Sequence, residues 1–260
     1  MKKIITLFVL VSLLSSCKNN KKPNEAITEV TENIDIETSI EIIPISHATA
    51  VIEFNDEVIY LDPTGGADAF SEFENPTYVL ITDIHGDHMN KETLAGLDLS
   101  ETIIIAPEAV AKEIADLKTK ELIVINNDEE KDLESFVVEA IPMYNLREEA
   151  LKFHTKGRGN GYVLTINNER IYFSGDTEDI PEMRNLKNID KAFVCMNLPY
   201  TMTVESAADA VLEFKPKQVY PYHYRGTNGL SDVAKFKQII NQGNQDIEVV
   251  QLNWYPTKTE

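Results

Sequence analysis

Residues 82–88 read Thr-Asp-Ile-His-Gly-Asp-His, directly after the apolar run Tyr78-Val79-Leu80-Ile81. A short apolar run of this kind is expected to be a buried strand. A strand that ends in two aspartates and two histidines must be placed so that its C-terminal end faces a polar pocket, because unpaired charges are costly to bury. Alternate side chains of an extended segment point the same way, so Asp83, His85 and Asp87 can share one pocket. The turn into a helix starting near Asn90 then brings in His88. Imidazole and carboxylate together are suitable ligands for zinc, and also for iron or manganese.

The rest of the domain is expected to alternate strands and helices around that pocket. Runs at 40–45, 49–54, 58–62 and 78–82 read as strands joined by tight turns. Helical spacing predicts a helix over 107–118 with Pro107 at its start, and strands follow at 122–125 and 136–143. A hairpin is expected around Asn167-Asn168-Glu169. A helix over 204–214 capped by Thr203, a strand at 218–222, a helix over 231–240 and a final strand at 247–253 complete the chain. This pattern suits an α/β architecture of two sheets face to face with helices outside. Cys195, in the apolar run Ala192-Phe193-Val194-Cys195-Met196, is expected to be a buried structural thiol rather than a nucleophile.

The segment Asp83-Ile84-His85-Gly86-Asp87-His88 resembles the His-x-His-x-Asp-His signature of the metallo-β-lactamase superfamily, with Asp83 in place of the first His. Ser174-Gly175-Asp176-Thr177, after the run Ile171-Tyr172-Phe173, looks like the family element whose Asp bridges two metals. His223, in Tyr220-Pro221-Tyr222-His223-Tyr224, looks like the family's last His ligand. His47-Ala48-Thr49 and Leu61-Asp62-Pro63 resemble opening motifs of the branch that includes ascorbate-phosphate lactonase-like proteins and N-acyl-phosphatidylethanolamine phospholipases. The resemblance implies a four-layer αβ/βα metallo-β-lactamase sandwich over residues 38–260. It further implies a metal set of Asp83, His85, Asp87, His88, Asp176 and His223, with Asp87, His88 and Asp176 carrying catalysis.

Two departures from the family pattern bear on the metal count. Asp83 is a harder ligand than the His it replaces. Asn145 stands where the family places a His after a mid-chain strand, and Asn is a poor zinc ligand. One position therefore keeps Asp87, His88, Asp176 and His223. The other has Asp83, His85, Asp176 and at best Asn145. His154, in a glycine-rich segment, has three open readings: an extra metal ligand, a substrate contact, or a surface residue. The glycines there are expected to allow close backbone approach to a ligand. Lys156 and Arg158 beside it are expected to hold an anionic substrate group, or to be part of a solvated loop. His47 is expected to orient a ligand. All 5 histidines fall in these segments.

Ahead of the domain, Lys2 and Lys3 precede an apolar stretch from Ile4 to Leu14, which reads as an export signal over residues 1–17. Leu14-Ser15-Ser16-Cys17 resembles a bacterial lipobox, which implies cleavage before Cys17, lipidation of its thiol and a lipid anchor in the cell-envelope membrane. Residues 18–37 are polar and are expected to form a flexible tether. The formal net charge of −19 disfavours nucleic acid as a partner. The expected activity is cleavage of an ester, lactone or phosphodiester in a small-molecule or lipid-like substrate by metal-bound hydroxide. The cofactor is one or two Zn2+, with Mn2+ or Fe2+ as alternatives. A non-catalytic metal- or ligand-binding lipoprotein and a two-iron oxidoreductase are the rival readings.

Overall fold

A computed structural model describes residues 39–256 of the chain. The expected export signal, Cys17 and the tether at 18–37 lie outside the described residues. Among the described residues no helix is long and apolar enough to cross a membrane.

The first half runs β1 (Glu41–Ser46), β2 (Thr49–Phe54), β3 (Glu57–Leu61), β4 (Tyr78–Leu80), α1 (Lys91–Gly96), β5 (Ile103–Ala106), α2 (Glu108–Glu113) and β6 (Glu121–Val124). The second half runs β7 (Glu130–Asp132), β8 (Val137–Met143), β9 (Gly159–Ile166), β10 (Glu169–Phe173), α3 (Pro181–Arg184), β11 (Lys191–Val194), α4 (Val204–Phe214) and β12 (Gln218–Pro221). A short hairpin of β13 (Arg225–Gly226) and β14 (Gly229–Leu230), then α5 (Val233–Gly243) and β15 (Glu248–Val249), close it.

Six strands form one sheet in the order β1-β2-β3-β4-β5-β6, and seven form another in the order β15-β12-β11-β10-β9-β8-β7. Each begins as an antiparallel meander and continues with parallel strands: β3 through β6 in the first sheet, β10 through β12 and β15 in the second. The two-residue period of the strands sorts their side chains between two cores. Ile52, Ile59, Leu61, Leu80 and Ile105 join the larger cluster with residues of the second sheet. Val51, Tyr60, Val79, Ile81 and Ile104 point the other way and pack with Leu94 of α1 and Val110 of α2. Ala207, Val211 and Phe214 of α4 join the larger cluster. The expected layering, helices outside two facing sheets, is observed.

Several boundaries differ from expectation for local reasons. The helix expected to reach residue 118 ends at Glu113, because the chain turns back so that the Lys120 amide can donate to the Thr102 carbonyl and start β6. The final strand is two residues long rather than seven. After it the chain carries Trp254 into the core against Phe193 and Tyr222. Strands β5, β7, β11, β13 and β14 were not among those expected. Cys195 is fully buried, and burial pushes its thiol up to about 11, in keeping with a structural role.

Candidate metal centre

The parallel strands of both sheets deliver their C-terminal ends to one edge, where open α/β folds bind ligands. Asp62 follows β3, residues 82–88 follow β4, Asp176 follows β10 and His223 follows β12. His47, Asp62 and His223 all hold a left-handed backbone, with φ of 59°, 44° and 46°. Such strain at non-glycine residues concentrates at functional sites and persists only where the surroundings fix it. Here the His47 amide donates to Trp254, the His223 amide to His47, and the Asp62 amide to Leu80.

Asp87, His88, Asp176 and His223 bring four donor atoms within 4.8 Å of one another, and Asp83, His85 and His154 form a second such group. Asp176 lies between them. Its Oδ2 is 3.4 Å from His88 Nε2 and 3.0 Å from His154 Nε2, while its Oδ1 is 3.3 Å from His223 Nε2. Asp87 Oδ2 lies 3.4 Å from His223 Nε2 and 3.3 Å from His47 Nε2. The Nε2 atoms of His88 and His223 face each other at 3.1 Å. These atoms fit a cation: facing ring nitrogens cannot both donate, and the buried Asp176 Oδ1 has no hydrogen-bond partner among the described residues.

The electrostatics agree. Burial raises the Asp176 carboxyl, but the charges of His223 and His88 and the hydrogen bonds from His154 and His88 outweigh it and hold it well below the usual range. Burial lowers His88, but the charges of Asp62 and Asp176 outweigh that and hold its imidazole well above its usual value. Burial raises the Asp87 carboxyl, and its contacts with His223 and His47 bring it far below the usual range. A site that holds a proton so firmly among ionised carboxylates is a site for positive charge.

Asp62 sets the orientation of His88. It is fully buried; Oδ1 accepts from the Thr82 amide at 2.7 Å, and Oδ2 accepts from the Thr82 hydroxyl at 2.6 Å. His88 Nδ1 donates to the same Oδ2 at 2.7 Å, leaving Nε2 toward Asp176. This is the carboxylate–histidine arrangement that fixes the tautomer of a metal-binding imidazole. His47 lies against Asp87. Its Nδ1 meets the Tyr255 hydroxyl at 2.7 Å and its Nε2 faces Asp87.

The structure selects among the readings of the 145–158 segment. His154 is buried against Asp176 and next to His85, with ring centroids 5.3 Å apart, so it is not a surface residue. The Asn145 side-chain nitrogen donates to the carbonyls of Ala150 at 2.9 Å and Tyr200 at 2.7 Å, while its buried Oδ1 has no hydrogen-bond partner among the described residues. Its backbone amide also donates to His154 at 3.0 Å, so it shapes the loop that delivers His154. Arg147 reinforces that loop through Glu178 at 2.6 Å and the Thr201 carbonyl at 2.7 Å. Lys156 pairs with Glu182 at 2.6 Å, and Arg158 forks onto Asp83 at 2.9 and 2.8 Å, so both cations expected to hold a substrate anion are already paired within the protein. Gly159 and Gly161 serve close packing, whereas Gly157, at φ 86°, has open space around it. A Cβ on Gly159 would lie 2.7 Å from the Thr82 carbonyl oxygen, and one on Gly161 would lie 2.8 Å from that of Ser174. Arg147 and Tyr255 had no assigned role in the sequence and nothing in local spacing marks them, while Asp62 stood out only through the Leu61-Asp62-Pro63 resemblance.

A cavity of about 370 Å³ opens over the donors, lined by His85, Asp87, His154 and Asp176 together with Phe153, Asn197 and Tyr200. The family model described as a beta-lactamase superfamily domain matches residues 41–223, which span this whole constellation. The chain belongs to the metallo-β-lactamase superfamily. A metal-dependent hydrolase of Pyrococcus abyssi is 28% identical over 209 residues, covering 75% of this chain and 90% of its own. A solved structure from Parabacteroides distasonis, also named a metal-dependent hydrolase, is 35% identical with a TM-score of 0.74, covering 82% of this chain and 92% of that one. A metallo hydrolase from Ignicoccus hospitalis shares the fold at a TM-score of 0.69 and 19% identity. The chain is a metal-dependent hydrolase of the metallo-β-lactamase fold.

Proposed function

We propose that this hydrolase cleaves an ester, lactone or phosphodiester at a site for two divalent ions, zinc first among them. Asp87, His88, Asp176 and His223 would hold one ion, and the group of Asp83, His85 and His154 would provide for the second. The observation that carries this reading is the convergence of both donor groups on Asp176, whose Oδ2 lies near His88 of one group and His154 of the other while its Oδ1 faces His223. A divalent ion there supplies Lewis acidity and lowers the pKa of a nucleophilic water to near neutrality.

The chain's own residues do the rest. Asp87 is the exposed member of its group, with 44% of its side chain accessible, and its carboxylate lines the cavity where it can orient an attacking water by accepting its hydrogen bond. His47 holds it in place. Asn197 lines the cavity with its Oδ1 engaged by the Thr201 hydroxyl at 2.5 Å, which leaves its amide hydrogens to donate to a substrate oxygen. Phe153 and Tyr200, with ring centroids 5.1 Å apart, give the cavity an apolar wall. The non-catalytic alternative is not favoured, since it gives no reason for two complete donor groups beneath an open cavity.

The motifs at His47 and Asp62 support placing the chain near the ascorbate-phosphate lactonase-like and N-acyl-phosphatidylethanolamine phospholipase-like branch. The lipobox at Cys17 supports an exported protein anchored by lipid to the cell-envelope membrane. The deciding experiment is metal content by plasma mass spectrometry, alongside a screen of lactones, carboxylic esters and phosphodiesters. His88→Ala and Asp176→Asn should each lower metal content and abolish hydrolysis, and full activity in both would overturn the proposal.

A further inference from the structure

Asp83 and Arg158 hold a place that the general mechanism does not explain. Asp83 is fully buried. Its Oδ1 accepts from Arg158 Nε at 2.9 Å and its Oδ2 from Arg158 Nη2 at 2.8 Å. The same Oδ2 lies 2.9 Å from His85 Nδ1. A carboxylate oxygen has two lone-pair directions, so Oδ2 is fully engaged by these two donors and Oδ1 half engaged. Because His85 Nδ1 donates to Asp83, the lone pair of that ring is left on Nε2. The arrangement repeats the Asp62–His88 pair, where Nδ1 donates at 2.7 Å and Nε2 is left for the metal. Arg158 Nη2 also donates at 2.6 Å to the carbonyl of Phe153, the residue before His154. One guanidinium thus braces both histidines of the second donor group, one through Asp83 and the other through the backbone.

We propose that Asp83 is not a metal ligand but the orienting carboxylate of His85, and that Arg158 is the positioning residue of the second metal position. This rests on the two-ion reading above. The ion pair also explains how an Asp can stand at the family's first His position. A carboxylate paired with a guanidinium adds no net charge, just as a neutral imidazole adds none, and the second position loses a ligand without gaining repulsion. Its protein donors are then His85, His154 and the shared Asp176, all three on the wall of the 370 Å³ cavity. The first position keeps four donors, three of them buried. Structural metal positions are closed and catalytic ones keep an open coordination place. The His85–His154 position is therefore the one that meets the substrate.

The test is Co2+ titration of the full-length protein, read by equilibrium dialysis and by the visible d–d bands, for the unmodified chain, Asp83→Asn and Arg158→Lys. Two Co2+ per chain are expected in all three at saturation. In Asp83→Asn the d–d bands keep their positions, since Asn still offers His85 an acceptor oxygen. The second ion should bind roughly 10–100-fold more weakly in both variants, the usual cost of losing an outer-shell partner, while the first binds as before. Arg158→Lys tests the fork independently of Asp83, because an ammonium cannot engage both carboxylate oxygens and the Phe153 carbonyl in the same plane. One Co2+ at saturation in Asp83→Asn, or shifted bands, would make Asp83 a ligand and overturn the proposal. Unchanged second-ion affinity in both variants, or a single Co2+ in the unmodified chain, would overturn it too. No Co2+ at all in the unmodified chain would remove the two-ion reading itself.

Discussion

Asp62→Asn is the substitution that most directly separates a built metal centre from a polar core. The change is isosteric, and the surroundings dictate how the amide must sit. Oδ1 receives the Thr82 backbone amide at 2.7 Å, and a backbone N–H cannot turn into an acceptor, so the Asn oxygen must stay there. The new NH2 then faces the Thr82 hydroxyl and His88 Nδ1, at the former distances of 2.6 and 2.7 Å. The hydroxyl can rotate and accept. His88 can accept only by moving its hydrogen from Nδ1 to Nε2, and Nε2 is the atom 3.4 Å from Asp176 Oδ2 and 3.1 Å from His223 Nε2. The substitution converts a ligand nitrogen into a donor without removing an atom from the site. Restoring the ligand tautomer means leaving an NH2 against a ring N–H. Outer-shell losses of this kind weaken metal binding by roughly 10–100-fold, or about 1.4–2.7 kcal/mol. Competition against a chromophoric chelator measures the affinity of the Asp87–His88–Asp176–His223 position, and a melt of the metal-free protein controls for folding. Hydrolysis should fall at least in proportion. Unchanged affinity for the first ion would refute the orienting role of Asp62 and with it the assignment of His88 Nε2 as a ligand atom.

Four further outcomes are expected. Asn145→His should not raise metal occupancy and should lower the melting temperature, because the carbonyls of Ala150 and Tyr200 lose donors at a cost of roughly 1–3 kcal/mol for each one left buried and unpaired; a higher metal content on mass spectrometry would count against the loop path described here. Gly161→Ala places a Cβ 2.8 Å from the Ser174 carbonyl oxygen, so it should destabilise the fold by about 1–3 kcal/mol in denaturant titrations and disturb Asp176 two residues on. Chelator treatment should lower the melting temperature, since an ion present at a hundredfold its Kd stabilises the native state by about 2.7 kcal/mol. Cys17→Ser should release the protein from membranes on ultracentrifugation, and unchanged partitioning would remove the lipid anchor.

The parts of the site carried by short-range patterns could be read from the sequence. Residues 82–88 follow a buried strand and stand out as a cluster of donors, although the turn at 84–88 sends Asp87 and His88 to one group and Asp83 and His85 to the other, and the helix capped by Thr203 begins and ends where its spacing predicts. What could not be read depends on contacts between distant residues. His154 reaches Asp176 because the loop before it is pinned by Arg147 to Glu178, 31 residues away, and by Asn145 to Tyr200, 55 residues away. Asp62 meets His88 across 26 residues, and Arg158 meets Asp83 across 75. A His missing after β8 looked like a lost ligand because family position was the only guide. The fold supplies a His to the same neighbourhood from nine residues further on, with Asn145 now tying that loop down.

The charges at this centre also explain why its orienting residues are carboxylates. With Asp87, Asp176 and Asp83 ionised around the histidines, metal-free protein must place positive charge there, and it does so on His88 and on Arg158. The two solutions differ in kind. Asp62 and Asp176 hold His88 well above its usual value, so a metal using its Nε2 would take a place where positive charge is already favoured. The guanidinium of Arg158 is fixed by its fork on Asp83 and by the Phe153 carbonyl. A permanent counter-charge leaves the second position nearly neutral before the ion arrives and weaker in attraction for it. Three donors beside an open cavity would suit an ion that shares its coordination with substrate, while the four-donor group would suit one that stays.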